Sequence, residues 1–173
     1  MNAPGQADLE VLAERIGSAL CGDGLALATA ESCTGGWVSQ CLTAVAGSSV
    51  WFERGFVTYS NAAKMEMLGV SEDTLMAHGA VSQAVAVAMA EGALRHSRAD
   101  WAIAITGVAG PSGGSASKPV GTVCFAWACR DGRTTTQSRH FEGDRTAVRA
   151  RSVAYALSGL LARLTSPVDG LVA

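Results

Sequence analysis

Two short apolar runs, Leu25 to Ala30 and Trp101 to Thr106, each open directly into a loop crowded with glycine and hydroxyl side chains. The first loop is Glu31-Ser32-Cys33-Thr34-Gly35-Gly36, and the second extends from Gly107 to Pro119. Apolar runs of this length, bounded by such loops, read as strands buried on both faces, so helices must cover the sheet they belong to. In such sheets ligands gather at the carboxyl ends of the strands, where the loops begin. The two loops are therefore expected on one edge of one sheet.

The rest of the chain fills in that plan. Leu9, Leu12, Ile16 and Leu20 recur at helical spacing, and Cys21-Gly22-Asp23-Gly24 is expected to end that helix. A second helix is predicted from Trp37 to about Ala44, before the turn Ala46-Gly47-Ser48-Ser49, and a strand over Gly55 to Tyr59. Asn61 is expected to cap a short helix carrying Lys64, and Ser71 and Ser82 to cap two more, the second running from Gln83 to about His96. Val120 to Cys129 and Thr134 to Phe141 form an expected hairpin across Arg130-Asp131-Gly132-Arg133, where Asp-Gly favours the primed turns. Asp144 to Leu164 closes the chain as a helix. Strands alternating with helices and ending in a hairpin imply an α/β domain of three α/β/α layers, with a mixed sheet of about five strands. A chain of 173 residues suits one such domain, expected over 1–173.

Composition removes several function classes. Lys plus Arg number 13 and Asp plus Glu 15, a net charge of −2, so no global basic field draws the chain to nucleic acid. Charged residues are only 16% and mean hydropathy is +0.24, which excludes a disordered chain. The segment Met1 to Glu10 has neither the basic nor the apolar region of a signal peptide. The longest charge-free stretch, Ser32 to Phe52, carries too many serine, threonine, glutamine and glycine residues for a membrane span. Five cysteines with no CxxC pair suit reduced thiols, and a cytoplasmic location is expected. His78, His96 and His140 are isolated and lack metal-ligand spacing, so no metal is expected.

Several residues stand out, each with two readings. Ser32 at a strand end, followed by two glycines opening a helix, is either a nucleophile beside free N–H groups or an ordinary helix cap. Cys33 is a rival nucleophile or a small buried hydrophobe. Lys64, one of only two lysines with Lys118, is either a desolvated base for a serine, with Tyr59 relaying the proton, or a solvated surface cation. The segment Gly107 to Gly114 is a loop of backbone donors or simply flexible. It fails as a phosphate-binding P-loop because Pro119 follows Lys118, and as a nucleophile elbow because no helix follows. Arg145, Arg149 and Arg151 crowd a helix start that is already positive, so they serve an anionic ligand or pair with Glu142 and Asp144.

Six segments in order are similar to those of the CinA C-terminal domain family: Ala30 to Gly36, Gly47-Ser48-Ser49, Tyr59 to Lys64, His78 to Ser82, Thr106 to Pro111 and Lys118 to Val123. Gly143-Asp144-Arg145 fits as well, and the similarity extends from about Leu9 to Leu164. The chain most resembles the stand-alone form, the nicotinamide-nucleotide amidohydrolases. That resemblance implies hydrolysis of the carboxamide of nicotinamide mononucleotide to nicotinate mononucleotide and ammonia, in pyridine-nucleotide recycling and without a cofactor. It also implies that Ser32 is the nucleophile with Tyr59 and Lys64 as its activating partners. Thr34, Gly35, Gly36, Thr106, Gly107, Gly110 and Arg145 are implied to hold the substrate. Ala46 and Ser112 depart from the family's usual proline and aspartate.

Two rivals stand beside the amidase. A nucleotide-binding regulatory module would use the same loops and Arg145 without needing Ser32 or Lys64. A phosphatase would want a carboxylate cluster for Mg²⁺, for which only Glu31 and Asp144 lie near. Apolar Trp37, Val50, Trp51 and Phe52 near an expected surface helix suggest a homodimer.

Overall fold

The computed structural model describes residues 3–165, so both ends of the expected 1–173 domain lie outside the described residues. Helix α1 (Gln6–Asp23) leads into strand β1 (Leu27–Glu31), helix α2 (Trp37–Thr43), a 3-10 turn (Ser48–Val50) and strand β2 (Phe52–Val57). Helices α3 (Asn61–Leu68), α4 (Glu72–His78) and α5 (Gln83–Arg95) follow. Strands β3 (Trp101–Gly107), β4 (Thr122–Cys129) and β5 (Thr134–His140) and helix α6 (Arg145–Thr165) come last among the described residues. The sheet has five strands in the order β2-β1-β3-β4-β5. The first three are parallel and β4 and β5 antiparallel, so the sheet is mixed as expected.

Alternation along the strands sorts side chains by size. Trp101, Ile103 and Ile105 of β3, with Val123, Phe125 and Trp127 of β4, face α1, α2 and α6. Ala102 and Ala104 of β3, with Cys124, Ala126 and Ala128 of β4, face α3, α4 and α5. Each large side chain buried on the first face contributes roughly 1.5–3 kcal/mol, so that layer supplies most of the hydrophobic stabilisation. The second face is lined by small residues, and α5, itself rich in alanine, lies close against it. Among the described residues no helix is long and apolar enough to cross a membrane.

Several local expectations shift. Helix α1 does stop within the expected segment, at Gly24, whose φ of 65° only glycine adopts readily. β1 begins two residues late and takes in Glu31, and β2 covers Phe52–Val57 rather than Gly55 to Tyr59. Ser60, not Asn61, caps α3, because its hydroxyl accepts from the Ala63 N–H. Ser71 and Ser82 cap α4 and α5 as expected. Asp144 caps α6, accepting from Ala147 N, and the helix itself begins at Arg145.

The hairpin turn is not primed. Only Gly132 (φ 95°) is left-handed, Gly132 N donates to Cys129 O, and Cys129 N donates to Arg133 O. A type I turn closed by a glycine bulge places Asp131 where it needs no positive φ. The apolar corner also differs from expectation: Trp51 is core, packed against Gly17, and Trp37 and Phe52 are half-buried against the same core. Of those four residues only Val50 is exposed.

Gly92 sits where α5 crosses α3, and a Cβ there would overlap the Leu68 carbonyl. Alanine gains about 1 kcal/mol of helix propensity over glycine, yet backbone overlap costs about 1–3 kcal/mol. Gly92→Ala is expected to lower the urea midpoint, and an unchanged or raised midpoint would contradict the close α3–α5 packing.

Candidate active site

Because β1, β2 and β3 are parallel, the segments that leave their carboxyl ends lie along one sheet edge. Ser32 follows β1 directly, and its N–H donates to Ile105 O of β3 at 3.0 Å, which holds the start of the loop in the sheet. The segment after β2 carries Thr58 and Tyr59 and leads to the capped helix α3, on which Lys64 sits one turn in. These residues meet at a cavity of about 290 Å³, lined by Ser32, Tyr59, Lys64, Thr106, Gly110 and Arg145 among others.

Lys64 is only 1% exposed. Its Nζ lies 3.1 Å from Ser32 Oγ and donates to Thr58 O at 2.9 Å. Burial holds its pKa below the ordinary 10.5, since the cation loses its hydration. The solvated-lysine reading is thereby overturned. A neutral amine that donates one N–H to Thr58 O has its lone pair free for the hydroxyl proton of Ser32, which reverses the hydrogen bond the cation makes. Cys33 is also buried, and desolvation pushes its thiol up to about 12, so it is no thiolate near neutrality. It packs as a small hydrophobe.

Tyr59 lines the same cavity but is 61% exposed, and its hydroxyl accepts from Arg145 Nη2 at 2.8 Å. Its partner in the chain is thus Arg145 rather than Ser32 or Lys64. Arg145 Nη1 also donates to Gly110 O at 2.7 Å, so one guanidinium ties the tyrosine to the glycine-rich loop. Gly110 is left-handed (φ 80°), and a Cβ there would run into Val120. Thr106 Oγ1 donates to Ala80 O at 2.7 Å, fastening the segment before α5 beside the cavity. Gly107 lines the same cavity.

The Thr34 side chain, Gly35 and Gly36 are not among the groups lining this cavity. Thr34 is fully buried, while Gly35 and Gly36 border a separate, shallower depression with Trp37 and Arg149. Their amides are partly spent: Gly35 N donates to Ser32 O, and Gly36 N to Glu31. Glu31 is a site element that sequence reasoning treated only as a nearby acid. Fully buried, it accepts from the N–H groups of Gly36, Val38 and Ser39 and from the Ser39 hydroxyl, at 2.7 to 3.1 Å. With Glu31 so engaged and Asp144 capping α6, the carboxylate pair of the phosphatase reading is used in building the loops. Spacing along the helix groups Arg149 with its neighbours, yet it binds two carbonyls of the Ser32 loop, and Arg151 donates to the Glu142 carbonyl.

The CinA C-terminal domain family matches residues 9–164. The chain belongs to that family. It is 57% identical over 154 residues to nicotinamide-nucleotide amidohydrolase PncC of Escherichia coli K12, covering 89% of this chain and 93% of the relative. The Pseudomonas putida protein of the same name is 52% identical, covering 88% of this chain and 95% of that one. Among solved structures, the competence/damage inducible protein CihA from Agrobacterium tumefaciens superposes with a TM-score of 0.89 at 49% identity, covering 94% of this chain and 98% of its own. This CinA-family domain thus has solved neighbours that share its α/β architecture.

The buried amine has a measurable linkage to folding. With the folded pKa of Lys64 depressed, the unfolded chain binds more protons between that pKa and 10.5, so stability rises with pH across this window. Relative to Lys64→Met, wild-type stability is expected to gain as pH is raised from 7 toward 10.5 in urea titrations. Parallel curves would show that folding leaves the amine's proton affinity unchanged.

Proposed function

We propose that the protein is a nicotinamide-nucleotide amidohydrolase that cleaves the carboxamide of nicotinamide mononucleotide through an acyl-Ser32 intermediate. The observation that carries this reading is the buried Lys64 amine 3.1 Å from the Ser32 hydroxyl. A module that only binds nucleotides has no use for a desolvated lysine against a serine, whereas a serine acyl-transfer enzyme can use one as its general base. The Escherichia coli and Pseudomonas putida relatives, 57% and 52% identical over 154 residues, carry that activity in their names.

Ser32 Oγ attacks the amide carbon while neutral Lys64 takes the hydroxyl proton. The oxyanion that forms is held by backbone N–H groups. Those of Thr34, two residues after the nucleophile, and of Ala109 and Gly110, in the second loop, donate to no acceptor among the described residues. Collapse breaks the C–N bond as a proton from Lys64, or from Tyr59 at the cavity wall, reaches the departing nitrogen, which leaves as ammonia. Water then attacks the ester, Lys64 takes its proton, and the nicotinate carboxylate and free Ser32 are released. Arg145 supplies the cation for the ligand's phosphate, with guanidinium N–H groups beyond the two that bind Gly110 O and Tyr59 OH. Thr106 and Gly107 shape the wall facing the ring. The chemistry calls on no cofactor.

We also place the protein in the cytoplasm, where its five free thiols stay reduced. We read it as a homodimer that uses the corner around Val50, 76% exposed. Sedimentation at twice the chain mass supports the dimer, and a monomer at micromolar concentration overturns it.

Ser32→Ala is expected to abolish ammonia release while leaving nucleotide affinity within a few-fold, because the nucleophile contributes little ground-state binding. Lys64→Arg keeps the charge but has no accessible neutral form, and kcat should fall about 10²-fold or more. Turnover retained by the alanine variant would overturn the acyl-serine route, and a fully active arginine variant would pass the base role to Tyr59.

A further inference from the structure

Arg149 lies one helical turn after Arg145 on α6, but it does not line the reaction cavity with it. Its Nε donates to Cys33 O at 3.1 Å and its Nη2 to Thr34 O at 2.7 Å, so one planar fork grips two successive carbonyls of the nucleophile loop. The guanidinium also lies over the Trp37 ring, 5.3 Å from its centroid, and Trp37 Nε1 is in turn held by Gln6 Oε1 at 2.8 Å. Helix α1 thus steadies the tryptophan, which steadies the arginine.

A trans peptide unit points its C=O and N–H in opposite directions. The Cys33–Thr34 and Thr34–Gly35 units are both trans. Gripping the Cys33 carbonyl therefore turns the Thr34 N–H away from Arg149, and gripping the Thr34 carbonyl does the same for Gly35 N–H. The Gly35 N–H is consumed by Ser32 O at 3.0 Å. On the far side of the turn Glu31 takes the N–H groups of Gly36, Val38 and Ser39. Among the described residues the Thr34 N–H has no acceptor, and it lies two residues after Ser32. A cation on the carbonyl of the same peptide also polarises that N–H and strengthens it as a donor.

We infer that Arg149 is a positioning residue that orients and polarises the Thr34 N–H as an oxyanion donor for the amide attacked by Ser32. This inference rests on the amidase reading above. Arg149 touches neither the ligand nor the reacting atoms; it acts through the peptide it holds.

The test compares wild type, Arg149→Met and Arg149→Lys on nicotinamide mononucleotide and on its thiocarboxamide analogue, which also releases ammonia. Thermal melts accompany the assays, and the lysine variant serves if the methionine variant does not fold. Loss of an oriented donor should lower kcat on the natural amide by about 10-fold or more with KM within about threefold. Sulfur is a poorer acceptor than oxygen, so an intact donor penalises the thioamide. The oxygen-to-sulfur ratio of kcat should therefore contract roughly severalfold in the methionine variant and less in the lysine variant, which keeps the charge but not the fork. A purely structural role would slow both substrates alike. An unchanged oxygen-to-sulfur ratio in the folded variants, whatever their kcat, overturns the positioning role while leaving the amidase intact. Absence of ammonia release from wild type would instead overturn the amidase reading, and this inference with it.

Discussion

A lysine amine removed from water organises this molecule. Burying an ammonium costs several kcal/mol even after the protein relaxes around it, and among the described residues Lys64 has a carbonyl and a serine hydroxyl as partners. Its protonation is disfavoured for that reason, since desolvation lowers its affinity for a proton. The surrounding elements serve that arrangement. Strand β1 delivers the serine, the segment after β2 delivers the Thr58 carbonyl, and α3 carries the amine.

Around that pair the loop after β1 is held from two sides by opposite charges. The buried Glu31 carboxylate gathers the N–H groups at the start of α2, while Arg149 from α6 gathers the carbonyls just before it. Acceptors of the turn face a cation and donors face an anion, so the backbone is oriented by electrostatics as well as by the sheet. Among the described residues the amide of Thr34 is left out of both grips. The opposite wall is drawn in by Arg145, which joins Tyr59 to the glycine-rich loop through two hydrogen bonds.

The asymmetry of the sheet's two faces also has a bearing on the site. Bulky residues toward α1 and α6 fix the position of α6, and with it Arg145 and Arg149. The alanine-lined face lets α5 settle close to the sheet, and α3, which packs on α5 at Gly92, is set at a depth where Lys64 is covered.

The sequence alone was enough for the layered α/β class, the mixed sheet, the common edge of the two loops and the serine caps at Ser71 and Ser82, because apolar runs, helical spacing and hydroxyl caps are local signals. A strand-end serine and a scarce lysine marked Ser32 and Lys64 as candidates, and the family resemblance implied that they work together. The sequence could not decide whether that lysine was solvated, because burial depends on how closely α3 and α5 approach the sheet. Nor did spacing along α6 separate the roles of Arg145 and Arg149. One turn apart, they share a face of the helix, and only the placement of α6 against both loops sends one to Tyr59 and Gly110 and the other to the carbonyls of Cys33 and Thr34. Glu31 was visible as an acid beside the serine, but its role as the anchor of α2 depends on the tertiary turn that folds three amides back onto it. Local pattern determined the elements and the candidate residues, whereas desolvation and hydrogen-bond partners, which arise only when distant segments meet, decided their chemistry.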